Sequence, residues 1–141
     1  MSVEYMSVMA VGLTIFLFVW LFVTNMASNA SDTAAIASSR QAVTRLADAA
    51  NLVYTQGPPA QVRVYVNLPG QVTNFNVSGR QIQLLLRTSA GVGDVHELTY
   101  GPLFGNNIDS VNSAPGTHYF TVTAVNGPAG TVNVQVNETT S

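Results

Sequence analysis

Hydrophobic and polar positions follow two different patterns along this chain, and the first one is apolar and helical. Residues 1–23 are almost wholly apolar with Glu4 as their single charge, and no charged residue occurs from Tyr5 to Ser31. Beyond this run, apolar residues recur every three to four positions, which is the period of a helix: Ile36, Val43, Leu46, Ala50 and Val53. Because this part of the chain contains no proline, it predicts one continuous helix from about Ser2 to about Tyr54.

The second pattern is a strict alternation of apolar and polar residues, which is typical of strands with one buried face. The inward sets are Val62, Val64 and Val66; Ile82, Leu84 and Leu86; Phe120, Val122 and Ala124; and Val132, Val134 and Val136. Turn-forming residues separate these runs at intervals of about 8–12 residues, among them Leu68-Pro69-Gly70, Ser78-Gly79, Gly91-Val92-Gly93 and Gly101-Pro102. Six or seven strands at this spacing predict a two-sheet immunoglobulin-like sandwich.

The two patterns together define the predicted organisation. The fold class is α+β, with a long N-terminal hydrophobic α-helix over residues 1–56 followed by an all-β immunoglobulin-like sandwich over residues 57–141. The second part is large enough for one small domain with one core.

Composition narrows the function classes. Only 9% of the residues are charged, the formal net charge is -2, and the five basic residues are all arginines scattered along the chain. No basic stripe exists that could follow a phosphate backbone, so we expect no nucleic-acid partner. The chain has no cysteine, which excludes disulfides, thiol catalysis and cysteine metal sites.

The chain has two histidines, His96 and His118, which could pair with Asp94, Glu97 or Asp109 as a metal or acid–base cluster. His96 and Glu97 are neighbours in an expected strand, so their side chains point to opposite faces. The loop 106–112 is rich in oxygen donors but lacks the spaced carboxylates and central glycine of a calcium-binding hand. On the helix, Arg45 and Asp48 are spaced to pair on a solvated face. We therefore predict no enzyme, no metal site and no cofactor.

Three interpretations of the leading apolar run were compared. Tyr5 to Val23 is long enough to cross a bilayer. A cleaved secretory signal requires a basic front, but no Lys or Arg precedes Arg40. A permanent anchor predicts positive charge beside one end, and none is present. The third interpretation is a helix that first lies in a membrane and later packs in a bundle of copies, and it agrees with the many small residues that follow Trp20.

The first residues resemble the start of archaeal type IV pilins. The class III signal pattern of that family has Gln-x-Ser-x-Glu before an apolar run, and Ser2 and Glu4 fall on its Ser and Glu. The Gln has no counterpart, Val8 stands where the family has a Leu, and the basic leader is absent, so a mature or near-mature form is expected. The order of elements, a long helix followed by a β domain, resembles the family over the whole chain. The sequence pattern itself covers residues 1–23.

This resemblance implies the major pilin of an extracellular adhesion filament, formed as a homopolymer through the N-terminal helices. The resemblance also implies a membrane-inserted precursor, with the membrane, an assembly machinery and a prepilin peptidase as further partners. The residues expected to carry assembly are Met1, Glu4, Val8, Val11, Leu13, Ile15, Phe16, Phe18, Val19, Trp20, Phe22 and Val23. Glu4 is expected to meet the amine of Met1, of the same or a neighbouring copy; the alternative is a carboxylate that only favours the first helical turn.

Two rival functions share parts of this layout. An archaellin of a swimming filament has the same organisation, although its mature start is richer in Gly and Ala than Ser2-Val3-Glu4-Tyr5. A single-copy, membrane-anchored β-sandwich that binds sugar or protein would need no copies of itself.

Three Asn-x-Ser/Thr sequences are candidate glycosylation sites, at Asn29, Asn76 and Asn137. Because the chain is rich in Asn, Ser and Thr, chance is the alternative explanation. Asn76 and Asn137 belong to the β part, whereas Asn29 lies on the helix, and an extracellular location favours modification of at least one of them.

Overall fold

A computed structural model describes residues 2–106 and 115–139 of the chain. Its first element is the helix α1, Val3–Gln56, which confirms the predicted continuous helix. Glu4 lies in the first turn, where the partial positive charge of the helix N-terminus favours a carboxylate. Gly57 follows the last residue with a φ of 71°, and its N–H donates to the Val53 carbonyl at 3.0 Å. A glycine in this left-handed conformation is a common helix terminator.

The chain divides into two compact units, Met1–Thr33 and Ala34–Ser141. The first consists of the N-terminal part of α1. The second, which we call the sheet unit, combines the remainder of α1 with the strands. Residues 34–56 of the helix therefore belong to the same unit as the β structure.

Five strands follow α1 in the described residues. They are β1 (Gln61–Leu68), β2 (Val72–Thr88), β3 (Gly91–Asn106), β4 (Gly116–Asn126) and β5 (Val132–Glu138), with a 3₁₀ turn at Pro128–Gly130 before β5. All five belong to one mixed sheet in the order β1-β4-β5-β3-β2. The β3–β5 pair is parallel and the other three pairs are antiparallel.

The α+β class is confirmed, but the two-sheet immunoglobulin-like sandwich is corrected to a single five-stranded sheet packed on the helix. The physical reason lies in α1, which supplies the second layer that a facing sheet would otherwise provide. Val43, Leu46 and Val53 of the helix are at most 1% exposed and share one core with the inward strand residues. A sheet needs only one apolar partner for each apolar face, so no second sheet is required.

The alternation predicted from the sequence is present in the strands. Phe120, Val122 and Ala124 of β4 are buried, as are Ile82, Leu84 and Leu86 of β2. On the helix the predicted apolar positions are buried with one exception, Ile36, which is 37% exposed while Ala35 and Ser39 are buried. Alanines contribute much of the buried helix surface: Ala35, Ala42, Ala47, Ala49 and Ala50.

Two predicted turns are instead parts of continuous strands, which is why fewer strands form than expected. Ser78-Gly79 lies within β2 and Gly101-Pro102 within β3. The register passes from the pair Gly79–Leu103 to the pair Gln81–Leu98, so four residues of β3 bulge opposite Arg80. Glycine inside a strand commonly marks such a bulge, and local sequence does not distinguish it from a turn.

The bulge of β3 is fixed to the end of α1 by specific contacts. The Tyr100 N–H donates to Asn51 Oδ1 of the helix at 2.8 Å, and Arg80 Nη2 donates to the Tyr100 carbonyl at 2.5 Å. Gly101 lies directly against the ring of Tyr54, and a Cβ atom at this position would overlap that ring. Residue 101 is therefore restricted to glycine by close approach of the backbone to an aromatic side chain.

Candidate assembly surface and other candidate sites

The predicted assembly residues other than Met1 lie on the exposed surface of the N-terminal part of α1. From Val8 to Val23 their exposed fractions range from 54% to 70%. Glu4 is also exposed in the first turn. Met1, the predicted partner of Glu4, lies outside the described residues.

The apolar surface extends around the whole helix rather than along one side. Nine consecutive residues, Ile15–Val23, are large, apolar and between 53% and 70% exposed. Consecutive residues of an α-helix point about 100° apart, so nine of them cover every direction. A helix that is apolar all round is stable when it is surrounded by lipid or by other protein.

The N-terminal part of α1, taken as a whole, is long enough to cross a membrane. In the described residues α1 is the one helix that meets this criterion, with a mean hydropathy of 2.4 in its most apolar 18-residue window. None of that window is buried within the chain. Length and composition are thus compatible with a lipid surrounding, and they are equally compatible with a surrounding of other helices.

Five side-chain hydroxyl groups between Val3 and Thr33 are hydrogen-bonded within the helix. Ser7 donates to the Val3 carbonyl at 3.0 Å and Thr14 to the Ala10 carbonyl at 2.8 Å. The hydroxyls of Thr24, Ser28 and Thr33 make the same kind of bond, each to a carbonyl three or four residues earlier. An unpaired hydroxyl costs free energy in an apolar environment. These internal bonds therefore lower the cost of placing this part of the helix in lipid or among other helices.

Among the described residues, neither histidine belongs to a larger group of potential metal-binding side chains. His96 Nδ1 is 3.9 Å from Asp94 Oδ2, and both side chains are exposed. Within residues 2–106 and 115–139, no group of three or more potential metal-binding side chains comes together. Asp109 and the loop 107–112 lie outside these ranges.

His118 has a partner that the sequence interpretation missed. Its Nδ1 is 2.6 Å from Glu138 Oε1, and the two side chains are only 11% and 24% exposed. The signal was present in the alternation: His118 is in phase with inward Phe120, and Glu138 with inward Val136. Continuing the period of two by one step places both polar side chains on the inner face of the sheet.

The three candidate glycosylation sites differ in their surroundings. Asn29 is exposed on α1 and Asn76 is exposed on β2, where Ser78 of the same sequence motif is exposed as well. Asn137 lies on β5, which is an interior strand of the sheet, and its Oδ1 is enclosed with no hydrogen-bond partner among the described residues. Access for a bulky glycan is therefore best at Asn29 and Asn76.

No protein-family model, curated protein or solved structure matches the chain. The class of the protein therefore follows from its own architecture, which is a long, exposed, apolar N-terminal helix followed by a five-stranded mixed sheet. This combination is consistent with a type IV pilin-like fold.

Proposed function

We propose that this chain is a structural subunit, the major pilin, of an archaeal type IV pilus. The observation that supports this most directly is the apolar surface on every side of residues 15–23. One protein partner on one side would leave the rest of that surface in water, whereas a bundle of copies surrounds it completely. The resemblance of the first residues to archaeal pilins supports the same proposal.

In this proposal the copies associate head to tail. A repeated interface between different surfaces produces an open fibre, whereas a closed symmetric interface produces a finite oligomer. The N-terminal segments form the core of the fibre and the sheet units form its exterior. Before assembly the segment lies in the membrane, and the assembly machinery and prepilin peptidase are partners that the resemblance implies. We propose a structural role in adhesion outside the cell, not a catalytic one.

Glu4 is the single charged side chain of residues 1–31, the part of the chain that this proposal places in the fibre core. A carboxylate in apolar surroundings requires a compensating positive charge. Arginine is absent from residues 1–39, so the terminal amine of a neighbouring copy is the group that the resemblance implies. Glu4 would then select the register in which adjacent copies associate.

Electron microscopy of sheared cell-surface material tests the proposal, with wild-type, Glu4→Gln and Asp48→Asn chains expressed in turn. Both substitutions remove one carboxylate from an exposed position of α1, but Asp48 lies in the sheet unit. We expect fibres from the wild type and from Asp48→Asn, and at least tenfold fewer from Glu4→Gln, with the precursor retained in the membrane. Normal fibres from Glu4→Gln would remove Glu4 from the mechanism, and wild-type cells without fibres would contradict the proposal itself.

A single-copy, membrane-anchored binding module is the second candidate, and the membrane-spanning length of the apolar segment favours it. The two candidates differ in what is recovered from cells. Extraction with mild detergent should release monomers of an anchored module, whereas mechanical shearing should release a pilin as fibres. Monomers in the detergent extract with nothing in the sheared fraction would favour the anchor.

A further inference from the structure

A small open pocket lies between α1 and the edge strand β1, entirely within the sheet unit. Its volume is about 190 Å³, below the 300–1,000 Å³ that is common for sites of drug-sized ligands. Ala42 and Val66, both buried, form the apolar part of its lining. The remaining lining residues are polar: Ser38, Gln41, Arg45, Tyr65, Asn67 and Thr117. The pocket therefore has room for one ring-sized group.

Arg45 gives the pocket a positive charge without an internal counter-ion. Its guanidinium carbon is 5.6 Å from the centre of the Tyr65 ring, a cation–π distance. The expected pair with Asp48 does not form, and no carboxylate of the described residues lies within 4.0 Å of Arg45. None of the lining residues is acidic. A guanidinium with free N–H groups in this setting favours a carboxylate, which it can bind through two parallel hydrogen bonds.

The groups around Arg45 suit a sugar ring that carries such a carboxylate. Gln41 and Asn67 offer amide donors and acceptors, and Ser38 and Thr117 offer hydroxyls. Tyr65 is 61% exposed, so the part of its ring that the Arg45 guanidinium does not cover is available as a flat apolar surface for the C–H face of a pyranose. A doubly charged phosphate would be expected to meet more than one cation, and this pocket has a single one.

We propose that this pocket binds a hexuronate, an acidic sugar unit, with Arg45 holding the carboxylate and Tyr65 stacking on the ring. The neutral polar side chains bind the hydroxyl groups. This inference goes beyond the proposed function, because it concerns the sheet unit alone and holds whether or not the chain assembles into fibres.

Titration of the full-length chain tests the proposal, in a detergent whose head group contains no sugar and at low ionic strength. The probes are glucuronate, its neutral counterpart glucose, and N-acetylglutamate amide, which carries a carboxylate without a sugar ring. Binding is followed by NMR chemical-shift changes of the chain. We expect glucuronate to bind at least tenfold more tightly than either of the other probes, and addition of salt to weaken it.

Three variants assign the interaction to the pocket. Arg45→Gln should weaken glucuronate binding at least tenfold, because it removes the charge and the paired donors. Tyr65→Leu should weaken it several-fold through loss of the ring. Arg40→Gln is the matched control, since Arg40 is an exposed arginine of the same helix that does not line the pocket.

Several results would overturn the proposal. Equal binding of glucose would exclude the carboxylate contact, and equal binding of N-acetylglutamate amide would assign the pocket to an acidic peptide side chain. Unchanged affinity in Arg45→Gln, or no saturable glucuronate binding by the wild type, would remove the site. A normal circular dichroism spectrum of each variant ensures that lost binding reflects the side chain rather than the fold.

Discussion

Leu46→Ala is the sharpest test of the arrangement in which α1 covers the sheet. Leu46 lies on the helix, is 1% exposed, and is one of the largest fully buried side chains of the described residues. It belongs to the same core cluster as Phe120 and Val122 of β4. If the helix were only a stalk attached to an independently folded β domain, truncating the Leu46 side chain would leave the stability of the sheet unchanged.

The expected loss of stability follows from what the substitution removes. Leu46→Ala deletes three buried carbons, worth about 2.4 kcal/mol at about 0.8 kcal/mol each. The cavity left behind adds to this, and measured Leu→Ala losses in cores are about 2–5 kcal/mol. We therefore expect about 3 kcal/mol, which is a large part of the roughly 5–15 kcal/mol that stabilises a typical domain.

Leu52→Ala is the matched control, because Leu52 lies on the same helix but is 47% exposed. About half of its side chain is already in water and no enclosed cavity forms, so the expected loss is at most about 1 kcal/mol. Alanine is also a slightly better helix former than leucine, which reduces the loss further.

Hydrogen exchange of β4 amides in a mild detergent measures the difference, because the interior of the sheet exchanges mainly through global unfolding. A loss of about 3 kcal/mol corresponds to a little more than 100-fold faster exchange. Equal exchange rates in Leu46→Ala and Leu52→Ala would refute the conclusion that the helix forms the second layer of the core.

The other predictions concern the bulge, the partly buried His118–Glu138 hydrogen bond and glycosylation. Gly101→Ala should destabilise the sheet unit by about 1–3 kcal/mol, because the new Cβ overlaps the Tyr54 ring; urea unfolding checks this, and Tyr54→Ala in the same chain should recover part of the loss. Replacing either His118 or Glu138 by Ala should cost about 1–3 kcal/mol, since it removes the 2.6 Å hydrogen bond between two partly buried side chains. The double variant should cost clearly less than the sum of the two, and additive losses would show that the pair contributes no coupling. Asn76→Gln should lower the mass of the protein purified from its native host by one glycan, and an unchanged mass would leave Asn76 unmodified.

The elements of the fold were largely predictable from the sequence because they depend on local periodicity. The three- to four-residue spacing of Val43, Leu46, Ala50 and Val53 indicated a helix, and the period of two in β1, β2, β4 and β5 indicated strands. The burial of these positions follows the predicted faces. The spacing does not specify the partner of each face. Packing against copies of the helix was expected, and the contact of residues 34–56 with the sheet was not predicted.

Features that depend on distant residues were not predictable. The parallel pairing of β3 with β5 joins segments that are separated along the chain by β4, and no local pattern encodes it. Ser78-Gly79 and Gly101-Pro102 are typical turn sequences, and only the long-range pairing of β2 with β3 places their glycines at a bulge. The Arg45–Tyr65 contact likewise depends on how the edge of the sheet lies against the helix.

The position of β5 has a consequence for how the sheet forms during synthesis. The strand order places β5 between two otherwise separate pairs, β1 with β4 and β3 with β2. Until residues 132–138 have emerged from the ribosome, no strand joins the two pairs by backbone hydrogen bonds. Folding of the sheet unit is therefore completed only after nearly all of the described chain has been made, when the apolar N-terminal segment has long since been available for capture by a membrane.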